Sequence, residues 1–243
     1  MPQNSRVYKK GRPPKPLKKH IIDSLNYKKL RNSFYPKYFH HIGIKTCIYC
    51  NSQLAVSIND DTNYSARFDV DHYYSKDKYP FLSISLFNLY PTCAPCNRRK
   101  SKNKVEFELY SKESDKLNES GYEFILDPKS KADYLLQREP SLLKFHFKEP
   151  PLTKTDTKTF QEVFHIEELY ATQKDIAEEL IIKSQIYNES YKKTLRNSFS
   201  KLALNSNLFE RLFIGNYPNA IDIHKRPMSK FTQDIARQLK LIK

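Results

Sequence analysis

Tryptophan is absent from this 243-residue chain, and glycine occurs only four times. With so little of the residue that permits irregular backbone, and with long polar, lysine-rich periodic stretches, a mainly helical chain with short strands is expected. No run of about 18 or more apolar residues exists, which excludes a membrane-spanning helix. The first twenty residues hold no apolar stretch of the kind found in a secretory signal, so a cytoplasmic chain without membrane partners is expected. Cysteine is confined to Cys47, Cys50, Cys93 and Cys96. In a reducing compartment, two Cys-x-x-Cys pairs hold a metal rather than forming disulfides. What the chain does have is 39% apolar and 13% aromatic residues, enough for a packed core and too many for a disordered protein.

Acidic residues are scarce. The 42 Lys and Arg outnumber the 27 Asp and Glu, and the net charge is +15. The excess is uneven: residues 1–40 carry 11 basic residues against the single acid Asp23. A phosphate-rich partner explains such a balance, because basic charge raises affinity for any nucleic acid through counterion release. A solvated tail that aids solubility is the bland alternative. DNA is the expected partner; charge alone does not distinguish it from RNA.

Four stretches follow one another. Residues 1–20 have the composition of a basic disordered arm, with four prolines and almost nothing apolar to bury. Within it, Lys10-Gly11-Arg12-Pro13 resembles the core of an AT-hook, whose Arg lies in a narrow minor groove; a plain basic arm is the other reading. Residues 21–41 read as helical, with apolar groups at Ile22, Leu25, Leu30, Phe34 and Phe39, until Pro36 interrupts them. Residues 42–110 hold every cysteine. Residues 120–243 are mainly helical, opening with two β-rich runs, Tyr122 to Leu126 and Leu142 to Phe147, that are expected to pair. From Ile166 to Leu202 apolar residues recur at three- and four-residue steps, an amphipathic pattern on a long or broken helix. Two shorter helices, near Leu208 to Phe213 and Met228 to Leu241, follow.

Two Cys-x-x-Cys pairs form a tetrahedral thiolate cage suited to zinc, with no open position for a substrate, so the expected ion is structural. Iron in the same cage is the chemical rival. The 42 residues between Cys50 and Cys93 exceed what a simple zinc ribbon needs, which implies a folded insert. Inside it, Arg67-Phe68-Asp69-Val70 reads as a strand delivering Asp71 and His72 in different directions. A second strand begins near Asn88-Leu89-Tyr90. The last pair, Cys93-Ala94-Pro95-Cys96, leads into a helix at Asn97-Arg98-Arg99-Lys100, with Pro95 suited to a first turn. Because Asn97 directly follows a metal ligand, the cage would orient its amide.

The order of strand with Asp-His, strand with Asn, and helix with Asn resembles the HNH (ββα-metal) endonucleases, in the version flanked by two Cys-x-x-Cys pairs. FDVDH, Asn88 and NRRKSKN are also similar to the HNH domain of RNA-guided CRISPR nucleases, which lack the cysteines. The resemblance covers residues 47 to about 104, and Asn97 stands where the family name has its final His. It implies an α+β protein: a ββα-metal core with paired zinc knuckles, embedded in a mainly helical chain. It further implies a catalytic Mg²⁺ or Mn²⁺ on Asp71 and Asn97, His72 as general base, Asn88 bracing the loop, and products with a 5′ phosphate and a 3′ hydroxyl. Arg98, Arg99, Lys100, Lys102 and Lys104 would contact backbone phosphates, or else form a solvated helix face. Segments of the C-terminal half, HIEELYATQKDIAEELIIKSQIYNESY and KRPMSKFTQDIARQL, resemble HNH proteins that accompany ATPases in Septu-like phage-defence pairs. That implies an ATPase partner. A zinc-stabilised nucleic-acid-binding module that does not cut is the competing reading.

Overall fold

A computed structural model describes residues 6–7, 15–107, 121–199 and 205–242. Arg12, the surrounding tetrapeptide and Leu202 lie outside them. The chain divides into two compact units, Met1–Tyr49 with Gln53–Lys104, and Cys50–Ser52 with Val105–Lys243. It is a mixed α+β protein with two-stranded antiparallel sheets. No helix among the described residues is long and apolar enough to cross a membrane.

The first unit opens with β1 (Arg6–Val7) paired to β2 (Lys15–Pro16), and α1 (Leu17–Ser24) follows at once. The stretch read as an unfolded arm through residue 20 therefore ends earlier. Pro16 stands at the cap, where its missing N–H costs no helical hydrogen bond, and Lys18 lies 3.3 Å from Asp77. Helix α2 (Tyr27–Ile42) runs straight through Pro36, which was expected to interrupt it. The chain breaks instead at Leu25–Asn26, where Asn26 adopts φ 58°. Pro36 forfeits one backbone bond, but it is buried beside Tyr35, and the packing of this face outweighs the loss. Gly43, at φ 79°, closes α2 by donating its N–H to the Phe39 and His40 carbonyls.

Tyr27, Tyr35 and Phe39 share one face of α2, at steps of eight and four residues. That face packs on Val70 and Leu89, which sit in β5 (Asp69–His72) and β6 (Leu89–Thr92). Between α2 and β5 in sequence comes the hairpin of β3 (Val56–Asn59) and β4 (Tyr64–Arg67), against which α2 also packs. Strands β5 and β6 are antiparallel, with Asp71 opposite Tyr90 and His72 opposite Leu89. Helix α3 (Ala94–Lys100) follows β6 directly, with Pro95 in its first turn as expected.

In the second unit, β7 (Glu123–Leu126) and β8 (Phe145–Lys148) pair antiparallel, as the two β-rich runs predicted. Between them α4 (Pro128–Gln137) is capped by the Asp127 side chain, which accepts from Ser130 N. Five helices follow: α5 (Phe160–Phe164), α6 (Ile166–Tyr170), α7 (Lys174–Ile186), α8 (Glu189–Ser198) and α9 (Ser206–Ile214). The periodic stretch is thus a broken helix. Its first half turns Ile166, Tyr170, Ala177 and Leu180 into the unit's own core, whereas Tyr191 and Phe199 are exposed. Finally α10 (Ser229–Gln238) lies along β7. Asp234 accepts from Phe124 N at 2.9 Å, and Gln238 accepts from Leu126 N at 2.9 Å while donating to Phe124 O at 2.6 Å. These side chains satisfy the strand edge that β8 leaves open. Residues 50–52 belong to this unit: Tyr170 donates to Cys50 O, and Asn51 bonds Ile223 O and the N–H groups of Met228 and Lys230.

Candidate functional site

Cys47, Cys50, Cys93 and Cys96 are buried, and their four sulfurs lie within 4.8 Å of one another. A tetrahedral zinc with Zn–S near 2.3 Å needs sulfurs about 3.8 Å apart, so the cluster fits such an ion after a small contraction. The local structure explains the convergence. Cys47 N donates to Gln53 O at 2.9 Å and Thr46 bridges Leu54, folding the first pair back on itself. The second pair sits at the start of α3, with Cys93 as cap and Cys96 one turn on.

Each arm of this cluster leads into a second set of residues. Tyr49, between the first two cysteines, donates its hydroxyl to Asp71 Oδ2 at 2.7 Å. From α3, Asn97 Nδ2 donates to Asp69 Oδ2 at 3.0 Å, and Lys100 Nζ lies 2.9 Å from Asp71 Oδ2 and donates to the His72 carbonyl at 2.9 Å. The helical repeat sorts the run NRRK. Asn97 and Lys100, three apart, share the face toward β5, while Arg98 and Arg99 are exposed, as is Lys102 after the helix. Lys100, expected at phosphate with these arginines, is instead 1% exposed. Asp69, which the sequence reading gave no role beyond its strand, is the partner of Asn97, and Arg31 lies 3.5 Å from its other oxygen. Asp71 and Asn97 are thus each committed to a different partner. Their oxygens are of the kind Mg²⁺ takes, but Asp71 as it stands already holds a cation.

Asp71 and His72 are each 6% exposed. Burial pushes the Asp71 carboxyl above its ordinary range, and the Lys100 ammonium opposes that rise. His72 is driven the other way, down to about 4, by burial first and then by the positive charge of Lys76, with the bond to Ser83 working against both. Its Nε2 lies 3.1 Å from Ser83 O. A carbonyl only accepts, so Nε2 carries the proton and Nδ1 holds the lone pair of the neutral ring. The Tyr27 ring, 5.0 Å away, packs on the imidazole, and Lys76 Nζ stands 4.7 Å from that tyrosine's centroid.

Asn88 closes the loop between β5 and β6. Its Oδ1 accepts from Tyr74 N at 2.7 Å, and its Nδ2 donates to Tyr74 O and Leu82 O at 3.1 Å each. Its own carbonyl accepts from Tyr73 N, next to His72. The sequence signalled Asn88 and the cysteines. Tyr49 and Ser83 carried no signal of their own, and Lys100 was marked as one of the phosphate-contacting cations rather than as a partner of Asp71.

Burial of a neutral imidazole has a pH signature. Unfolded His72 titrates near 6.5 and the folded residue near 4, so the unfolded chain takes up the proton first. This contribution is complete above pH 6.5 and is lost as pH falls toward 4, costing about 2 kcal/mol by pH 5. Asp71, raised on folding, has the opposite sign, so the comparison must be differential. Denaturant unfolding at pH 7.5 and pH 5 is expected to show wild type losing about 2 kcal/mol more than His72→Asn; equal losses would mean that the ring is not buried in its neutral form. No family model, curated protein or solved structure matches the chain.

Proposed function

We propose that the chain is a metal-dependent endonuclease that hydrolyses phosphodiester bonds in DNA. One observation carries the reading. Two strands and a helix, Asp69–His72, Leu89–Thr92 and Ala94–Lys100, follow one another beside a four-cysteine cluster, with Lys100 of the helix on Asp71 and the His72 carbonyl and Asn97 on Asp69. This is the order of parts on which the resemblance to HNH endonucleases was based.

In this reading the cysteines hold zinc, which ties the start of α3 and Tyr49 to fixed places. Asp71 and Asn97 hold Mg²⁺ or Mn²⁺, which supplies positive charge to the scissile phosphate and the departing oxygen. His72 accepts a proton from the attacking water on Nδ1, the nitrogen left free by the bond to Ser83. A pKa near 4 keeps the ring unprotonated at pH 7, though it weakens the ring as a base. Asn88 holds the loop that follows His72, and the exposed Arg98, Arg99 and Lys102 take backbone phosphates. A defence role and an ATPase partner rest on the C-terminal resemblance alone, with exposed Tyr191 and Phe199 as the face such a partner would cover.

A second reading, a zinc-stabilised nucleic-acid-binding module that does not cut, is favoured by the Asp71 carboxylate already being paired with Lys100 and Tyr49. Incubating supercoiled plasmid with magnesium or with EDTA separates the two. The enzyme nicks only with magnesium, whereas the module binds and leaves the plasmid intact in both.

The basic N-terminal residues have their own test. Because α1 begins at Leu17, the deletion should stop at residue 14, taking β1 with it and removing Arg6, Lys9, Lys10 and Arg12. If these contact phosphate, the slope of log affinity against log salt flattens by roughly 2 to 4, at about 0.9 per lost contact. An unchanged slope would remove them from the DNA interface.

A further inference from the structure

We propose that Lys100 is a built-in occupant of the cation site at Asp71, an ammonium that a divalent ion must displace in order to bind. The inference rests on the nuclease reading and adds to it a residue that controls metal loading. Lysine is almost never fully buried unless paired, and Lys100 is 1% exposed. Its two partners are Asp71 Oδ2 and the His72 carbonyl, both at 2.9 Å. The carboxylate oxygen that faces the ammonium also accepts from Tyr49 at 2.7 Å. Among the described residues Lys100 is the cation paired with that oxygen, so it balances the charge of Asp71 inside the unit.

An ammonium and a hard dication want the same oxygen. With Lys100 in place, a dication would meet one neutralised carboxylate and a like charge at hydrogen-bonding distance. Entry of the ion therefore requires Lys100 to leave Asp71. Its four-carbon stem and its position as the last residue of α3, just before the cap Ser101, let it swing without unwinding the first turn that bears the cysteines. Apparent affinity for the dication is then reduced by the fraction of molecules in which Lys100 is bound.

The test uses zinc-loaded full chain and Mn²⁺ as the probe, titrated by electron paramagnetic resonance. Lys100→Met is expected to bind Mn²⁺ at least about tenfold more tightly than wild type, the gain vanishing in Lys100→Met with Asp71→Asn, while Lys100→Arg keeps the weak affinity. A readout on wild type does not depend on any variant folding. Reductive methylation followed by peptide mass spectrometry should leave Lys100 protected without Mn²⁺ and modified with it. If Mn²⁺ binds through Asp71 but Lys100→Met gains nothing and Lys100 stays protected, this proposal fails and the nuclease reading stands. If no Asp71-dependent Mn²⁺ binding occurs in either protein, both fail.

Discussion

Cys93→Ser is expected to strip the chain of zinc and unfold its first unit in the same step. Four buried sulfurs within 4.8 Å of one another form a site of the size and chemistry that a tetrahedral metal ion fills. A structural zinc of this type contributes about 10–16 kcal/mol of apparent binding free energy, which is folding free energy when the unfolded chain has no site. A whole domain is stable by only about 5–15 kcal/mol, so losing a thiolate from the cage removes most of the margin. Two segments depend on the cage directly: Tyr49, which reaches Asp71, and α3, which begins at Cys93 and carries Asn97 and Lys100. Elemental analysis should find about one zinc per chain in wild type and almost none in the variant. Thermal unfolding of the variant should be absent or shifted to far lower temperature. Iron in place of zinc would show as colour in the purified protein. A metal-free wild type with an unchanged melting curve would contradict the structural role.

The second large effect is expected at His72. Replacing it with Ala should lower DNA cleavage by about 10² to 10⁴-fold, the range for removing a positioned general base. Zinc content should stay the same, because the ring is held by Ser83 and packs on Tyr27. Truncation leaves a gap beneath Tyr27 and frees the Ser83 carbonyl, so some stability is lost as well. His72→Asn therefore belongs beside it, since it fills more of the space and retains a donor for Ser83 while having no basic nitrogen. If both variants lose cleavage while DNA affinity and zinc persist, the loss is chemical. Cleavage retained in His72→Asn would remove the imidazole from the reaction.

Local spacing made much of the molecule legible. Two Cys-x-x-Cys pairs announced the cluster, and FDVDH followed by Asn88-Leu89-Tyr90 announced β5 and β6. The β-rich runs Tyr122 to Leu126 and Leu142 to Phe147 announced β7 and β8. What sequence periodicity missed was decided by packing. Pro36 breaks helices in isolation, but here Tyr35 and Phe39 anchor the helix on Val70 and Leu89 from either side of it. Lys100 reads as one more cation in a basic run, and only the turn of α3 separates it from Arg98 and Arg99 and turns it toward Asp71. Tyr49 and Asp71 lie 22 residues apart, and no pattern along the chain couples them. The second unit follows the same rule: the helices at its end were visible, but the capping of β7 by Asp234 and Gln238 is a long-range match, 110 and 112 residues away.

In the proposed function, Asp71 and His72 belong to a phosphodiester-cleaving centre. Supercoiled plasmid incubated with zinc-loaded wild type in magnesium, followed by DNA ligase, tests it most directly. Nicked circles that ligase reseals are expected, since the ends would carry a 5′ phosphate and a 3′ hydroxyl, with no nicks from His72→Asn at equal concentration. Plasmid left supercoiled by the wild type, or nicked equally by both proteins, would contradict it.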